Sequence, residues 1–187
     1  MTTGDKDRTQ VVVRKTVLVN VPQAHAFAVF TEQVDAWWPL STHHIGAHPA
    51  QTAIIEPRAG GRWFERSSDG VECDWGRVLV WEPPHRIVLS WDISAEWKYD
   101  PKLGTEVEVR FVSEGLDTTR VDLEHRRLER YGPQAETMQA TFDSEDGWSS
   151  ILRGLKTFLE IGAPLRDFAP TPQAAINADR RTEHNTR

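Results

Sequence analysis

Residues 58–91 of the chain read RAGGRWFERSSDGVECDWGRVLVWEPPHRIVLSW. The pair Asp69-Gly70 separates two stretches of alternating residues, and Asp-Gly in that position is a strong local signal for a β-hairpin. Pro83-Pro84 cannot continue a helix or donate hydrogen bonds to a neighbouring strand, so a third strand begins near Arg86. The stretch therefore predicts three consecutive antiparallel strands.

These three strands carry an unusual load of tryptophan. Residues two apart on a strand share a face, so Glu65 is expected on the face of Trp63. On the second strand the same rule places five side chains on one side: Cys73, Trp75, Arg77, Leu79 and Trp81. Trp91 adds a fourth indole at the end of the third strand. This is more aromatic area than three strands need to close a core, so we expect part of it to line an internal space.

Composition and charge exclude several classes of protein. The 187 residues suffice for one domain with its own core, and the formal net charge is -6, with Lys and Arg scattered along the chain. Because nucleic acids and anionic membranes attract basic surfaces, we expect neither as a partner. Cys73 is the only cysteine, so an intramolecular disulfide is impossible. The first residues contain no apolar signal region, and no apolar run approaches the roughly 20 residues that span a bilayer, so we expect a cytoplasmic protein.

The flanking sequence supplies the remaining elements. Pro22 opens a short helix that runs to about Thr31, and a second short helix is predicted at 32–37. Further strands are predicted from β-branched or alternating residues at 11–19, 52–57, 105–112 and 119–127. A long amphipathic helix is predicted at 144–161 from the helical spacing of Trp148, Ile151, Leu152, Leu155, Phe158 and Leu159.

This order of elements predicts an α+β fold. Seven antiparallel strands form one sheet, and the helices gather on one of its faces. The ordered domain is expected at 10–162, between a disordered N-terminus at 1–9 and a mobile C-terminal tail at 163–187, because both end segments are polar. One long helix cannot cover a curved sheet of this width, so we expect a cavity between the helix and the sheet.

Three segments also carry a resemblance to a known family: GGRWFE (60–65), DGVECDWGRVLVWEPPHRIVLSW (69–91) and TTRVDLEHR (118–126). Together with the order of elements they resemble the SRPBCC superfamily, also called START-like. Within it the chain is similar to the branch named after the activator homologue of the heat-shock protein 90 ATPase. The resemblance implies a helix-grip fold, in which a curved seven-stranded sheet wraps around the C-terminal helix and a hydrophobic tunnel. It also implies binding of lipids, polyketides or other apolar molecules, and in some members cyclisation or hydrolysis in the cavity.

Ten side chains are predicted to line this cavity as ligand-binding residues: Trp38, Trp63, Glu65, Trp75, Leu89, Trp91, Val109, His125, Trp148 and Leu152. Glu65 is expected either to pair with an inward Arg or His, or to anchor a ligand, because an unpaired buried carboxylate is costly. His125 follows Val121 and Leu123 on an apolar strand face. It is therefore expected to point inward, either as a hydrogen-bonded structural residue or as a group that contacts the ligand.

No residue pattern commits the chain to a catalytic residue, a metal or a cofactor, and none of these is predicted. His44 and His48 have the i,i+4 spacing of zinc ligands on a helix, but Gly46 and Pro49 oppose a helix there. The carboxylates beside Cys73 are expected to raise the pKa of its thiol and to make it less nucleophilic.

Three functions remain open on the sequence. The first, which we favour, is binding of a small hydrophobic or aromatic molecule in the internal cavity. The second is an enzyme of cyclase or hydrolase type that acts on such a molecule, with Glu65 and His125 as acid–base candidates. The third is an interaction module of the chaperone ATPase activator kind. A small apolar molecule is the expected partner, and a homodimer is compatible with the sequence.

Overall fold

The computed structural model describes residues 11–162. The disordered N-terminus predicted at 1–9 and the mobile tail predicted at 163–187 lie outside these residues. Within them, all seven predicted strands and both short helices after the first strand are present.

The strands are β1 (Val13–Val19), β2 (Ala50–Ile55), β3 (Arg62–Ser67), β4 (Glu72–Glu82), β5 (Arg86–Trp91), β6 (Thr105–Gly115) and β7 (Thr118–Arg126). The α-helices are α1 (Gln23–Glu32), α2 (Val34–Trp37), α3 (Ala135–Asp143) and α4 (Ser150–Ile161). A 3₁₀ segment, Leu128–Gln134, precedes α3, and a single π-type turn, Glu145–Ser149, precedes α4.

The strands form one antiparallel sheet in the order β1-β7-β6-β5-β4-β3-β2. Strands β2 to β7 neighbour one another in chain order, as successive short connections dictate, and β1 closes the other edge against β7. The sheet curls around the C-terminal helix as a half-barrel, which confirms the predicted α+β helix-grip fold.

Trp75 occupies a β-bulge between β3 and β4. Trp63 pairs with Gly76 and the next residue of β3 pairs with Asp74, so Trp75 is an extra residue in the ladder. A Cβ atom at Gly76 would lie 1.9 Å from the carbonyl oxygen of Ser90, so only glycine lets the two strands approach this closely. The bulge bends the sheet, and the Trp75 side chain is buried in the interior as predicted.

The bulge at Trp75 also made one predicted strand face wrong. An inserted residue moves the side chains that follow it to the opposite face. Trp75 and Val78 are therefore buried, whereas Leu79, predicted on the same side as Trp75, is 44% exposed. A second shift of register, between Val78 and Val80, returns Trp81 to the inner face opposite Ile87, where its ring packs on Phe27. The alternation in the sequence does not mark where either irregularity lies.

The single helix predicted at 144–161 is interrupted. α4 begins at Ser150, and in the π-type turn before it Gly147 has the non-helical angles φ -84° and ψ -134°. A Cβ atom at Gly147 would lie 2.3 Å from the carbonyl oxygen of Phe142 in α3. The chain therefore turns sharply between α3 and α4, and this close approach requires glycine.

α3 was not predicted from the sequence. Its buried side chains, Met138 and Phe142, are one helical turn apart. α4 buries a broader face against the sheet, which includes Leu152 and Leu155. The two helices together close the concave side of the sheet and form the last wall of the core.

Candidate functional site

Aromatic rings from seven parts of the chain meet between the sheet and the C-terminal helices. We define the aromatic cluster as Trp38, Trp63, Trp75, Trp91, His125, Phe142 and Trp148, all of them buried. Centroids of neighbouring rings in the cluster lie 4.5 to 6.0 Å apart, mostly in edge-to-face geometry. Such pairs are favourable beyond the area that they bury, so the cluster is a stable apolar wall. It contains six of the ten residues predicted from the sequence.

The other four predicted residues are buried as well. Leu89 on β5, Val109 on β6 and Leu152 on α4 belong to the same continuous hydrophobic core as the indole rings. Glu65 on β3 is 2% exposed, on the same face of the strand as Trp63, as predicted. The sequence pattern therefore selected side chains that the fold brings together, whereas their contact with a ligand stays a prediction.

His125 is a neutral imidazole with both nitrogens engaged. An indole nitrogen can only donate, so Trp148 Nε1 donates to His125 Nδ1 over 3.1 Å. The ring proton is therefore assigned to Nε2, which donates to the Thr105 hydroxyl over 2.9 Å. That hydroxyl in turn donates to the carbonyl oxygen of Trp91 over 2.8 Å. Burial lowers the pKa of His125 from 6.5 to about 3, so it is uncharged at neutral pH.

The Glu65 carboxylate accepts three hydrogen bonds. Trp75 Nε1 donates over 2.7 Å, the amide of Ile45 over 2.9 Å and the amide of Gly46 over 2.6 Å. Glu65 is thus paired, one of the two alternatives expected, but its partners are an indole and two backbone amides. The expectation of an Arg or His partner was wrong. The amides come from a loop about twenty residues earlier in the chain, and the strand pattern around Glu65 does not indicate that this loop packs against it.

The segment 38–49 has no regular secondary structure over most of its length and is held against the cluster by side-chain contacts. Besides the bonds to Glu65, Trp38 Nε1 donates to the carbonyl oxygen of His43 over 3.0 Å. His43 Nε2 donates to the carbonyl oxygen of Asp146 over 2.8 Å, and burial lowers the pKa of His43. The helix that zinc binding by His44 and His48 would require does not form.

None of the ten predicted residues lines either of two prominent clefts at the surface of the described residues. The first, of about 440 Å³, lies between β4 and the connection that follows β5 and is lined by Ile45, Arg62, Glu72, Cys73, Asp74, Lys98 and Tyr99. The second, of about 390 Å³, lies along β2 and is lined by Thr31, Glu32, Asp35, Thr52, Ala53, Ile54, Ile55, Pro57 and Arg66. The internal cavity between sheet and helix therefore stays a prediction.

The thiol of Cys73 borders the first cleft. Burial, followed by the nearby carboxylates of Glu65 and Asp74, raises its pKa. The expected direction is confirmed, although Glu65 rather than Glu72 is the main charged neighbour. Cys73 is therefore a poor nucleophile at neutral pH.

Two residues of the site were not predicted. Phe142 lies 4.5 Å from the His125 ring and 5.7 Å from the Trp91 ring, centroid to centroid. The i,i+4 spacing of Met138 and Phe142 is a weak sequence signal that could have indicated α3. Thr105, which bonds His125, gives no such signal, because its role depends on the pairing of β6 with β7.

Neither a metal cluster nor a membrane-spanning helix is found in the part of the chain that the structure describes. Residues 11–162 contain no group of three or more His, Cys, Asp or Glu side chains arranged to hold a metal ion. No helix within the same residues is long and apolar enough to cross a membrane.

Three solved structures illustrate the similarity of this fold to known proteins. The anthrahydroquino-γ-pyrone synthase Txn09, solved in complex with SUM, is 37% identical, with a TM-score of 0.56 over 78% of this chain and 95% of that chain. CalC from Micromonospora echinospora, a self-sacrificing resistance protein, is 28% identical, with a TM-score of 0.61 over 81% of this chain and 96% of that chain. SSP2350 from Staphylococcus saprophyticus shares the fold at 16% identity, with a TM-score of 0.59 over 84% of this chain and 97% of that chain.

A search of functionally curated proteins finds no significant match. A family model described as Activator of Hsp90 ATPase homolog 1-like protein matches residues 20–160, more than half of the chain. The match runs from the residues before α1 into the last turn of α4, so it includes every member of the aromatic cluster. The chain therefore belongs to the family of Activator of Hsp90 ATPase homolog 1-like proteins, within the SRPBCC superfamily, as the sequence predicted.

Proposed function

We propose that the domain binds a small, flat, largely apolar aromatic molecule against the aromatic cluster, between the sheet and α4. The observation that carries this proposal is the continuous set of indole faces from Trp38 to Trp148, buried beneath the C-terminal helices. Flat aromatic ligands stack on indole faces or meet their edges with the same geometry that the rings adopt among themselves.

The name of one similar protein, Txn09, supports this class of ligand. Txn09 is named for the synthesis of an anthrahydroquino-γ-pyrone, a polycyclic aromatic compound with several oxygens, and it was solved with a bound compound. CalC is named as a resistance protein. A domain that holds a flat aromatic molecule is compatible with both names.

The segment 38–49 offers a route to the interior. It contributes Trp38 to the cluster, and the bonds to the Glu65 carboxylate and to the backbone at Asp146 hold it in place. Breaking these bonds, together with the ring contacts of Trp38 in the cluster, would move one indole wall without breaking the β-sheet. Ligand entry therefore needs only local opening, which proteins perform at far lower cost than global unfolding.

A second candidate function is a cyclase, favoured by the 37% identity to a synthase. The acid–base candidates fit this function poorly. His125 uses both nitrogens for hydrogen bonds and has a pKa of about 3, and the Glu65 carboxylate holds three donors. A cyclase built on this interior would act by fixing the shape of a flexible substrate, with proximity rather than proton transfer as the source of acceleration.

Native mass spectrometry of the full-length protein, followed by NMR with 9-fluorenone as a flat aromatic probe, tests the proposal. We expect one retained or added small molecule per chain, and nuclear Overhauser contacts between the probe and the indole protons of Trp91 and Trp148. The surface clefts serve as the internal control. Contacts confined to Tyr99 or Ala53, which line those clefts, or the lack of saturable binding, would overturn the proposal.

A further inference from the structure

Two indole N–H groups in the interior have no hydrogen-bond acceptor. Six of the eight tryptophans are buried, and four of these six donate to a defined acceptor. Those donors are Trp37 to Val29 O, Trp38 to His43 O, Trp75 to Glu65 and Trp148 to His125. By contrast, the buried Nε1 atoms of Trp63 and Trp91 find no partner among residues 11–162.

The two unpartnered donors are neighbours at the centre of the cluster. The ring centroids of Trp63 and Trp91 lie 5.5 Å apart. Trp63 also touches Trp38 and Trp75, whereas Trp91 touches Trp148 and the His125 ring, so the pair joins the two halves of the cluster. The third buried polar atom without a partner, the Thr52 hydroxyl oxygen, belongs to a residue that lines the cleft along β2.

Packing alone does not require tryptophan at these two positions. A buried N–H without an acceptor is costly, and phenylalanine would supply an aromatic face without that cost. The four paired indoles show that this fold can place acceptors opposite indole nitrogens in the same core. The two exceptions therefore call for an acceptor from outside residues 11–162.

We propose that Trp63 and Trp91 determine ligand specificity by donating their indole N–H groups to an oxygen acceptor on the ligand. The inference rests on the proposed function and narrows it to flat aromatic ketones, quinones and related carbonyl compounds. The nearby polar groups support this class, since the Glu65 carboxylate and both His125 nitrogens already have partners. The cluster thus offers two indole N–H donors to an incoming molecule. An uncharged ligand with a carbonyl oxygen can accept these hydrogen bonds without burying a charge.

The test compares two probes that differ by one carbonyl group, 9-fluorenone and fluorene. Each is titrated into the wild-type full-length protein and into the variants Trp63→Phe, Trp91→Phe and Trp37→Phe. The last is the matched control, because its indole already donates to Val29 O. We expect the wild type and Trp37→Phe to prefer fluorenone by about 25-fold, because the effects of two hydrogen bonds of about fivefold each multiply. We expect the preference to fall by about fivefold in Trp63→Phe or Trp91→Phe, the typical worth of one hydrogen bond. The affinity for fluorene serves as the reference for changes in packing.

A second measurement on the wild type keeps the test decisive if a variant does not fold. Both probes shift nearby resonances through their ring currents, but an indole N–H resonance also moves downfield when its proton is donated to an oxygen. We therefore expect the Trp63 and Trp91 N–H resonances to lie further downfield with fluorenone than with fluorene. Equal affinities for the two probes with no such shift would overturn this inference and leave the proposed function intact. If neither probe reaches the cluster, the proposed function and this inference both fall.

Discussion

Replacing His125 with glutamine should remove a defined part of the loss of stability that the protein suffers on mild acidification. In the folded protein His125 is fully buried, and its pKa is lowered to about 3, whereas the unfolded chain takes up the proton near pH 6.5. Between these two values the unfolded state binds the proton and the folded state does not. Protonation therefore favours unfolding, and stability falls as the pH falls through this window.

The magnitude follows from the two pKa values. Below pH 6 each pH unit costs up to about 1.4 kcal/mol in the free energy of unfolding, so His125 accounts for roughly 2 kcal/mol between pH 7 and pH 5. The structural reason is local. A second ring proton on Nδ1 would face the N–H of Trp148, so that two donors would point at each other in an apolar core. Protonation of His125 would therefore break this hydrogen bond. Burial also lowers the pKa of His43, which adds a loss of the same sign, so the difference between variant and wild type isolates His125.

Urea denaturation at pH 7, 6 and 5, followed by tryptophan fluorescence, measures this difference. Glutamine can accept from Trp148 and donate to Thr105, but it does not titrate. We expect His125→Gln to reduce the wild-type loss by roughly 2 kcal/mol between pH 7 and pH 5. Equal pH dependence of His125→Gln and the wild type would refute the assigned neutral, buried imidazole.

Two further predictions concern the backbone around the cluster. Glu65→Gln replaces one acceptor oxygen with a donor opposite Ile45, Gly46 or the Trp75 indole, so we expect a loss of roughly 1–3 kcal/mol and faster amide exchange at Ile45 and Gly46. Unchanged exchange at these amides would show that Glu65 does not hold the segment 38–49. Gly76→Ala should cost at least about 3 kcal/mol by urea denaturation, because the new Cβ would meet a backbone oxygen at 1.9 Å. Gly115→Ala, with no atom within 4 Å of the new Cβ, is the matched control, and equal costs for the two would contradict the bulge geometry.

The strands and turns of this protein were predictable because their signals are local. Asp69-Gly70 marks the β3–β4 turn, and Gly70 has the positive φ of 83° that such a turn uses. The alternation of β7 in the sequence matches its burial residue by residue along the strand. Each of these features depends on neighbours within a few positions, so the sequence carries it directly.

Bulges and breaks were harder to predict, because their cause lies in distant parts of the chain. The bulge at Trp75 depends on the close approach of Gly76 to Ser90 on another strand. The interruption before α4 depends on the contact of Gly147 with the end of α3. In both cases the sequence shows a glycine, but only the packed structure shows what that glycine must accommodate.

By itself, the sequence determined the α+β class, the order of the strands, the family and the identity of the five buried tryptophans of the aromatic cluster. Period-two and helical patterns establish which side chains face inward, and inward tryptophans must meet somewhere in a domain of this size. Only the tertiary structure decided how the buried polar groups pair. Glu65 bonds a loop 20 residues away, and His125 bonds an indole 23 residues away, while the indoles of Trp63 and Trp91 find no acceptor in the described residues. The physical reason is that a hydrogen bond needs its partner within about 3 Å and in line, a condition set by how the sheet curls and not by any local pattern.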